Sequence, residues 1–195
     1  MKIVLATFNR DKVRELRAML PRGGVEVVGL WEVPGARVPP EAGATVAENA
    51  LEKARAAHDL TGALAIADDT ALEVDALGGR PGIYAARFAG PGASYADNVR
   101  RLLEVLEGHD LPHRRARFRT CVAACLPDGR ERTAEGVLEG RITLAPRGRE
   151  GFGYDPVFEV EGTGRTLAEM PAEEKNRISH RARAMRALLE QLGLA

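Results

Sequence analysis

Along the chain, apolar positions switch between short unbroken runs and a spacing of three to four residues. KIVLAT at the start predicts a short buried strand, whereas DKVRELRAML puts Val13, Leu16 and Leu20 on one helical face that Pro21 closes. VEVVGL predicts a second strand, and a Pro- and Gly-rich loop runs from Pro34 to Gly43. In TVAENALEKARAAHDLTG, Thr45 and Glu48 make a capping box and Ala47, Ala50, Leu51 and Ala54 an apolar stripe. Gly62 stops that helix.

LAIADD and LEVDAL read as strands meeting at a turn. SYADNVRRLLEVLEG carries Val99, Leu102, Leu103 and Leu106 at helical spacing and ends at Gly108. The stretch RARFRTCVAACLPDGRERTAEGVLEGRIT predicts a hairpin or meander with PDGR as its turn. ISHRARAMRALLEQLG predicts a final helix with Met185, Leu188, Leu189 and Leu192 inward. Alternating elements followed by a meander predict an α/β protein with a mixed sheet.

Length and charge narrow the function classes. A chain of 195 residues suits one domain, in one piece or two lobes. Basic and acidic residues cancel at 28 each, so no overall field favours nucleic acid or a membrane surface. Lys2, Lys12, Lys53 and Lys175 are the only lysines, which makes their positions worth following. Cys121 and Cys125 would lie roughly 13 Å apart in an extended strand, too far for a disulfide. Buried thiols in a reducing compartment follow, and with no run long enough to span a membrane the expected location is the cytoplasm.

Five stretches are candidates for chemistry. ATFNRDK joins a strand to a helix, where backbone N–H groups and the helix dipole suit phosphate. Asp11 could cap that helix, but Lys12 then sits where a cation is unfavourable, a conflict that a bound anion would resolve. An ordinary turn with a solvated lysine is the alternative, since the loop lacks P-loop glycines. Ser179 is a natural N-cap that puts His180 and Arg181 at a positive helix end, suggesting an electron-rich ligand or else an exposed arginine face. GFGYDP sets two aromatics and an acid among glycines and proline, suiting either base stacking or a turn tucked into the core. The Arg115, Arg117 and Arg119 face reads as a solvated or interface face, without the interleaved aromatics of a nucleic-acid stripe.

The last stretch is IADDTALEV. In a strand, Asp68 and Asp69 point to opposite faces, so one could orient a loop while the other enters a crevice. Asp69 with Glu41 and phosphate oxygens would suffice for magnesium, and Thr70 adds a hydroxyl. Two solvated turn aspartates are the alternative.

Taken together, LATFNRDKVREL, EAGATVAENALEKARAA, IADDTALEVDALGGRPGIYAARFAG, GFGYDPVF and EKNRISHRARAM resemble the non-canonical purine nucleoside triphosphate pyrophosphatases, in that family's order and spacing. The resemblance runs nearly end to end. It implies an elongated mixed β-sheet flanked by helices, with two lobes and the active-site cleft between them, and a homodimer. It implies Mg2+-dependent cleavage of ITP, dITP or XTP between the α- and β-phosphorus, giving the monophosphate and pyrophosphate. Carried over by motif, Thr7, Phe8, Asn9, Arg10, Asp11 and Lys12 hold phosphates, with Lys53 helping, and Glu41 and Asp69 serve the metal. Asp69 is also the implied base, and Thr70 contacts substrate. Phe152, Gly153, Tyr154, Asp155, Lys175, His180 and Arg181 form the implied nucleoside pocket. No membrane or stable nucleic-acid partner is expected.

Two departures leave these groups intact. The family's bacterial members usually read DDSGL where this chain has DDTAL, and ETG where it has EAG. Ala71 in place of glycine argues against a positive φ there. A related pyrophosphatase acting on standard or pyrimidine triphosphates, and a non-catalytic nucleotide- or RNA-binding protein, are the rival readings. The first lacks its serine- and arginine-rich loop here, and the retained Glu41 and Asp69 count against the second.

Overall fold

The computed structural model describes residues 1–20, 25–37 and 42–194. Pro21 and Glu41 lie outside the described residues. Strand β1 (Lys2–Leu5) pairs in parallel with β2 (Glu26–Gly29) on one side and β3 (Leu64–Val74) on the other. Short β4 (Pro81–Gly82) runs antiparallel to β3. The remaining strands are β5 (Arg115–Cys125), β6 (Glu131–Ile142) and β7 (Phe158–Val160), the last antiparallel to β6. The order is β2-β1-β3-β5-β6-β7, with β4 on β3, so the sheet is mixed as the element pattern predicts.

Five α-helices accompany these strands among the described residues: α1 (Arg10–Met19), α2 (Val46–Thr61), α3 (Tyr95–Val105), α4 (Ala172–Ile178) and α5 (His180–Leu192). The chain divides into two compact units. The first comprises Met1–Asp69, Thr120–Gly136 and His180–Ala195, the second Thr70–Arg119 and Val137–Ser179. In the first, Ile3, Leu5, Ile66 and Val122 of the strands meet Val13 and Leu16 of α1 and Met185, Leu188 and Leu189 of α5. In the second, Leu72, Val74, Phe118 and Phe158 pack with Val99, Leu102 and Leu106 from α3 and its end. No described helix is long and apolar enough to cross a membrane.

Local chemistry accounts for most boundaries. Thr45 accepts from the Glu48 N–H at the start of α2, and Gly62 ends it at φ 64°, a left-handed conformation that favours glycine. PDGR is the β5–β6 turn, with Leu126 N–H donating to Arg130 O at 2.8 Å. Cys121 and Cys125 are buried thiols. Arg117 and Arg119 are half-buried and pair with Glu73, and Arg117 also pairs with Asp75.

Three expectations are corrected. LAIADD and LEVDAL form the single strand β3, with no turn between them. Asn9, not Asp11, caps α1, accepting from Asp11 N–H at 2.9 Å and Lys12 N–H at 3.2 Å, while Asp11 pairs with Arg14. On α2, Ala47 and Leu51 are only half-buried, and the buried face carries Val46, Asn49, Ala50, Lys53, Ala54 and Ala57. Elsewhere the expected boundary holds: α5 begins at His180, directly after an extended Ser179, which puts His180 and Arg181 in its first turn, and the short helix α4 precedes it.

Candidate active site

Alternation along β3 sends the two aspartates to different partners. Asp68 Oδ2 lies 3.1 Å from Lys12 Nζ and 3.0 Å from Arg181 Nε. Arg181 Nη1 in turn lies 2.6 Å from Glu15 Oε2. Lys12 and Glu15 are three residues apart on α1 and therefore share a face, so one helix delivers a cation to Asp68 and an anion to Arg181. At Lys12, the Asp68 carboxylate supplies a negative neighbour at the unfavourable helix end.

Burial alone would raise the Asp68 carboxyl pKa, but Lys12, Arg181 and Lys53, with the Arg181 hydrogen bond, outweigh it and hold it well below the carboxylate range. For Lys12 the balance falls the other way. Burial lowers its pKa, Lys53 and Arg181 lower it further, and Asp68 offsets only part. Arg181 stays charged, since Asp68 and Glu15 overcome the effect of its burial.

Asp69 faces α2. Its Oδ1 is 2.7 Å from Lys53 Nζ, and its Oδ2 accepts from Asn49 Nδ2 at 3.2 Å. Asn49 and Lys53 are four apart, one turn of helix, which brings both to the same carboxylate. Lys12, Lys53 and Arg181 thus stand against Glu15, Asp68 and Asp69, a balanced buried cluster. Around the first loop, Thr7 Oγ1 accepts from Asn9 N–H at 3.1 Å, Phe8 is partly exposed and Arg10 lies over the Trp31 ring.

At the start of α5, His180 Nδ1 is 2.6 Å from Thr120 Oγ1, with both side chains buried. A Cβ built on Gly136 of β6 would lie 2.1 Å from His180 O and 2.6 Å from Ala184 N. Only a glycine leaves room for the helix to seat this closely.

The second unit gathers the GFGYDP residues with Lys175. Asp155 Oδ2 accepts from Lys175 Nζ at 2.5 Å and from Phe152 N–H at 2.8 Å. Lys175 Nζ also lies 4.9 Å from the Phe152 ring centroid, and Tyr95 packs against that ring. Gly151 has φ 73°, and a Cβ there would lie 2.0 Å from Asp155 Oδ2. Gly153 also has positive φ, so the two glycines shape the turn. Tyr154 points into the core and donates to Ala85 O at 2.8 Å, the tucked-in alternative for that side chain. Thr70 is half-buried in β3.

The oxygen donors suit a hard divalent cation. Asp68 Oδ1 is buried with no hydrogen-bond partner, and each Asp69 oxygen retains lone-pair capacity beyond its one contact. Among the described residues no three His, Cys, Asp or Glu side chains cluster as a complete metal site, and Glu41 lies outside them.

A family model described as the Ham1 family matches residues 3–191. The chain belongs to the Ham1 family. A protein named dITP/XTP pyrophosphatase from Desulforamulus reducens is 50% identical over 192 residues, covering 98% of this chain and 96% of that one. Another of that name from Symbiobacterium thermophilum is 51% identical over 191 residues, covering 98% and 94%. Among solved structures, the Staphylococcus aureus Ham1 protein superposes with TM-score 0.87 at 36% identity, covering 99% of this chain and 98% of that one. A HAM1 protein from Coxiella burnetii gives 0.86 at 39% identity over both full chains.

Within this Ham1 fold, the first unit joins Lys12 and Arg181 through Asp68 and pairs Lys53 with Asp69, with His180 on Thr120 and Asn9 capping α1, and the second brings together Phe152, Asp155 and Lys175. Asn49, Glu15 and Thr120 belong with them but were not singled out in the sequence. The i, i+4 spacing of Asn49 and Lys53 and the i, i+3 spacing of Lys12 and Glu15 were the available signals.

Proposed function

We propose that this protein hydrolyses non-canonical purine nucleoside triphosphates, ITP, dITP and XTP, to the monophosphate and pyrophosphate, removing them from the nucleotide pool. The observation that carries this reading is the pair of buried carboxylates on opposite faces of β3, each met by a lysine from a different helix. A purely structural strand has little use for two adjacent buried acids, because each must be desolvated and paired. The curated relatives named dITP/XTP pyrophosphatase support the choice of substrate.

In this reading Lys12 and Lys53 neutralise phosphate charge as the substrate arrives, assisted by the Thr7–Lys12 loop. Asp69, already oriented by Lys53 and Asn49, positions a water for in-line attack on the α-phosphorus and accepts its proton. Magnesium would be held by Asp69 with Glu41, and when bound would supply charge neutralisation on the phosphates and polarise the reacting phosphoryl group. Thr70 contacts the substrate beside Asp69.

Phe152 offers its ring to the base, held by the turn that Asp155 and Lys175 close. His180 and Arg181 donate toward the oxygen at position six, which hypoxanthine and xanthine share and adenine lacks. Arg181 is already balanced by two carboxylates, which favours directional donation over a bare charge. We carry the homodimer from the family resemblance, and the cytoplasm from the two reduced thiols.

Pyrophosphate release, assayed with magnesium on dITP, XTP, dTTP and the standard purine triphosphates, tests the function. The expected result is turnover of dITP and XTP well above the others. No turnover of any, or equal turnover of GTP and XTP, would overturn it.

A further inference from the structure

We propose that Asn49 is a positioning residue that fixes the Asp69 carboxylate against the backbone at Gly43 through a single buried amide. The inference rests on the metal and base roles proposed above for Asp69. Asn49 is 2% exposed and sits on the buried face of α2, where an unsatisfied amide would be destabilising. Both ends of its side chain are used. Nδ2 donates to Asp69 Oδ2 at 3.2 Å, and Oδ1 accepts from Gly43 N–H at 2.9 Å.

These two bonds join the segment before α2 to β3 through one side chain. Gly43 precedes the start of α2, and Asp69 lies on β3. The neighbouring bond, Ala44 N–H to Glu48 Oε2 at 2.7 Å, holds the same backbone to the first turn of α2. Space is restricted as well. A Cβ on Gly43 would lie 2.7 Å from Glu48 Cβ and 2.8 Å from Asn49 Oδ1. The loop can therefore approach Asn49 this closely only with glycine at that position.

A planar amide with a donor at one end and an acceptor at the other suits the two tasks. The donor must meet a carboxylate, and the acceptor must meet a backbone N–H. A carboxylate at position 49 could keep the second bond but not the first, and a methyl group could keep neither. Lys53 supplies charge to Asp69 from the next turn, while Asn49 supplies direction. The pair leaves the carboxylate little rotational freedom.

The test uses the full-length protein with Asn49→Ala, Asn49→Asp and Gly43→Ala. Three readouts are hydrogen exchange at the Gly43 amide, the dissociation constant of Mn2+ by titration without nucleotide, and kcat and KM for dITP. Asn49→Ala is expected to speed Gly43 exchange at least tenfold while amides in the middle of α2 change little. It should also weaken Mn2+ binding about tenfold and lower kcat more than it raises KM. Asn49→Asp should keep Gly43 protected, because its carboxylate still accepts that N–H, yet lose kcat. Gly43→Ala should weaken Mn2+ binding with the amide of Asn49 intact. Unchanged Gly43 exchange and Mn2+ affinity in Asn49→Ala, in a wild-type protein that does turn over dITP, would overturn the positioning role. Absence of turnover in the wild type would instead remove the functional reading beneath it, and the exchange data would still decide whether the clamp exists.

Discussion

Arg181 Nε donates to Asp68 Oδ2 at 3.0 Å across a separation of 113 residues, with the carboxylate side chain fully buried. That contact fastens the first turn of α5 to the middle of β3. Glu15 on α1 holds the other side of the guanidinium.

Arg181→Ala should therefore be a stability variant as well as an activity variant. Removing one member of a buried ionic group leaves the others uncompensated, and a loss of about 3–5 kcal/mol is expected. Urea unfolding checks this as a lower midpoint at similar slope. A loss below 1 kcal/mol would show that Asp68 and Glu15 are satisfied without it.

Asp69→Asn tests chemistry with little change of shape. The amide can still contact Lys53, but it cannot accept a proton from water. A fall in kcat of roughly 100- to 10,000-fold is expected, with KM for dITP changed much less. Near-full rate at saturating substrate would remove Asp69 from the proposed base role.

Gly136→Ala should unseat the start of α5. Its methyl would lie far inside contact distance of His180 O and Ala184 N, so strand and helix must separate. Overpacking of this kind costs about 1–3 kcal/mol, and faster hydrogen exchange should appear first at the amides that open α5. The same substitution at an exposed strand position would move neither measurement.

The thiols give a prediction on the alkaline side. Burial, with Glu135 and Asp69 nearby, pushes the Cys121 thiol from 9.0 up to about 11. The unfolded chain therefore ionises first. Stability from this group is fully present below the unfolded pKa and is lost as pH rises through about 11. Urea midpoints measured from pH 8 to 10.5 should fall less steeply in Cys121→Ala than in the parent protein. A thiol reagent at pH 8 should label native protein slowly and label both cysteines at once in urea.

How much of this was legible beforehand depends on the kind of interaction. Apolar spacing located α1, α2, α3, the β5–β6 hairpin and α5, because burial of a helix face or strand leaves a periodic trace. Turn chemistry marked Gly62 and PDGR, which need particular backbone conformations. The apolar stripe on α2 misled in one respect. Asn49 and Lys53 lie on the buried face because a carboxylate waits there, and polarity scales assign such residues to solvent. The turn expected at Asp68 and Asp69 failed for the same reason: adjacent acids look like a solvent-exposed break until their partners are known.

By itself the sequence determined the alternation of strands and helices, the order of the motifs and the opposite faces of the two aspartates. Each follows from local geometry or from residues near in sequence. Only the tertiary structure decided which cation meets which carboxylate, that Asn9 caps α1, and that Asn49 bridges Gly43 and Asp69. The ion pairs and the Asn49 bridge join residues far apart in the chain, and their strength depends on distance and desolvation. Those quantities exist only after the backbone has brought the groups together and excluded water.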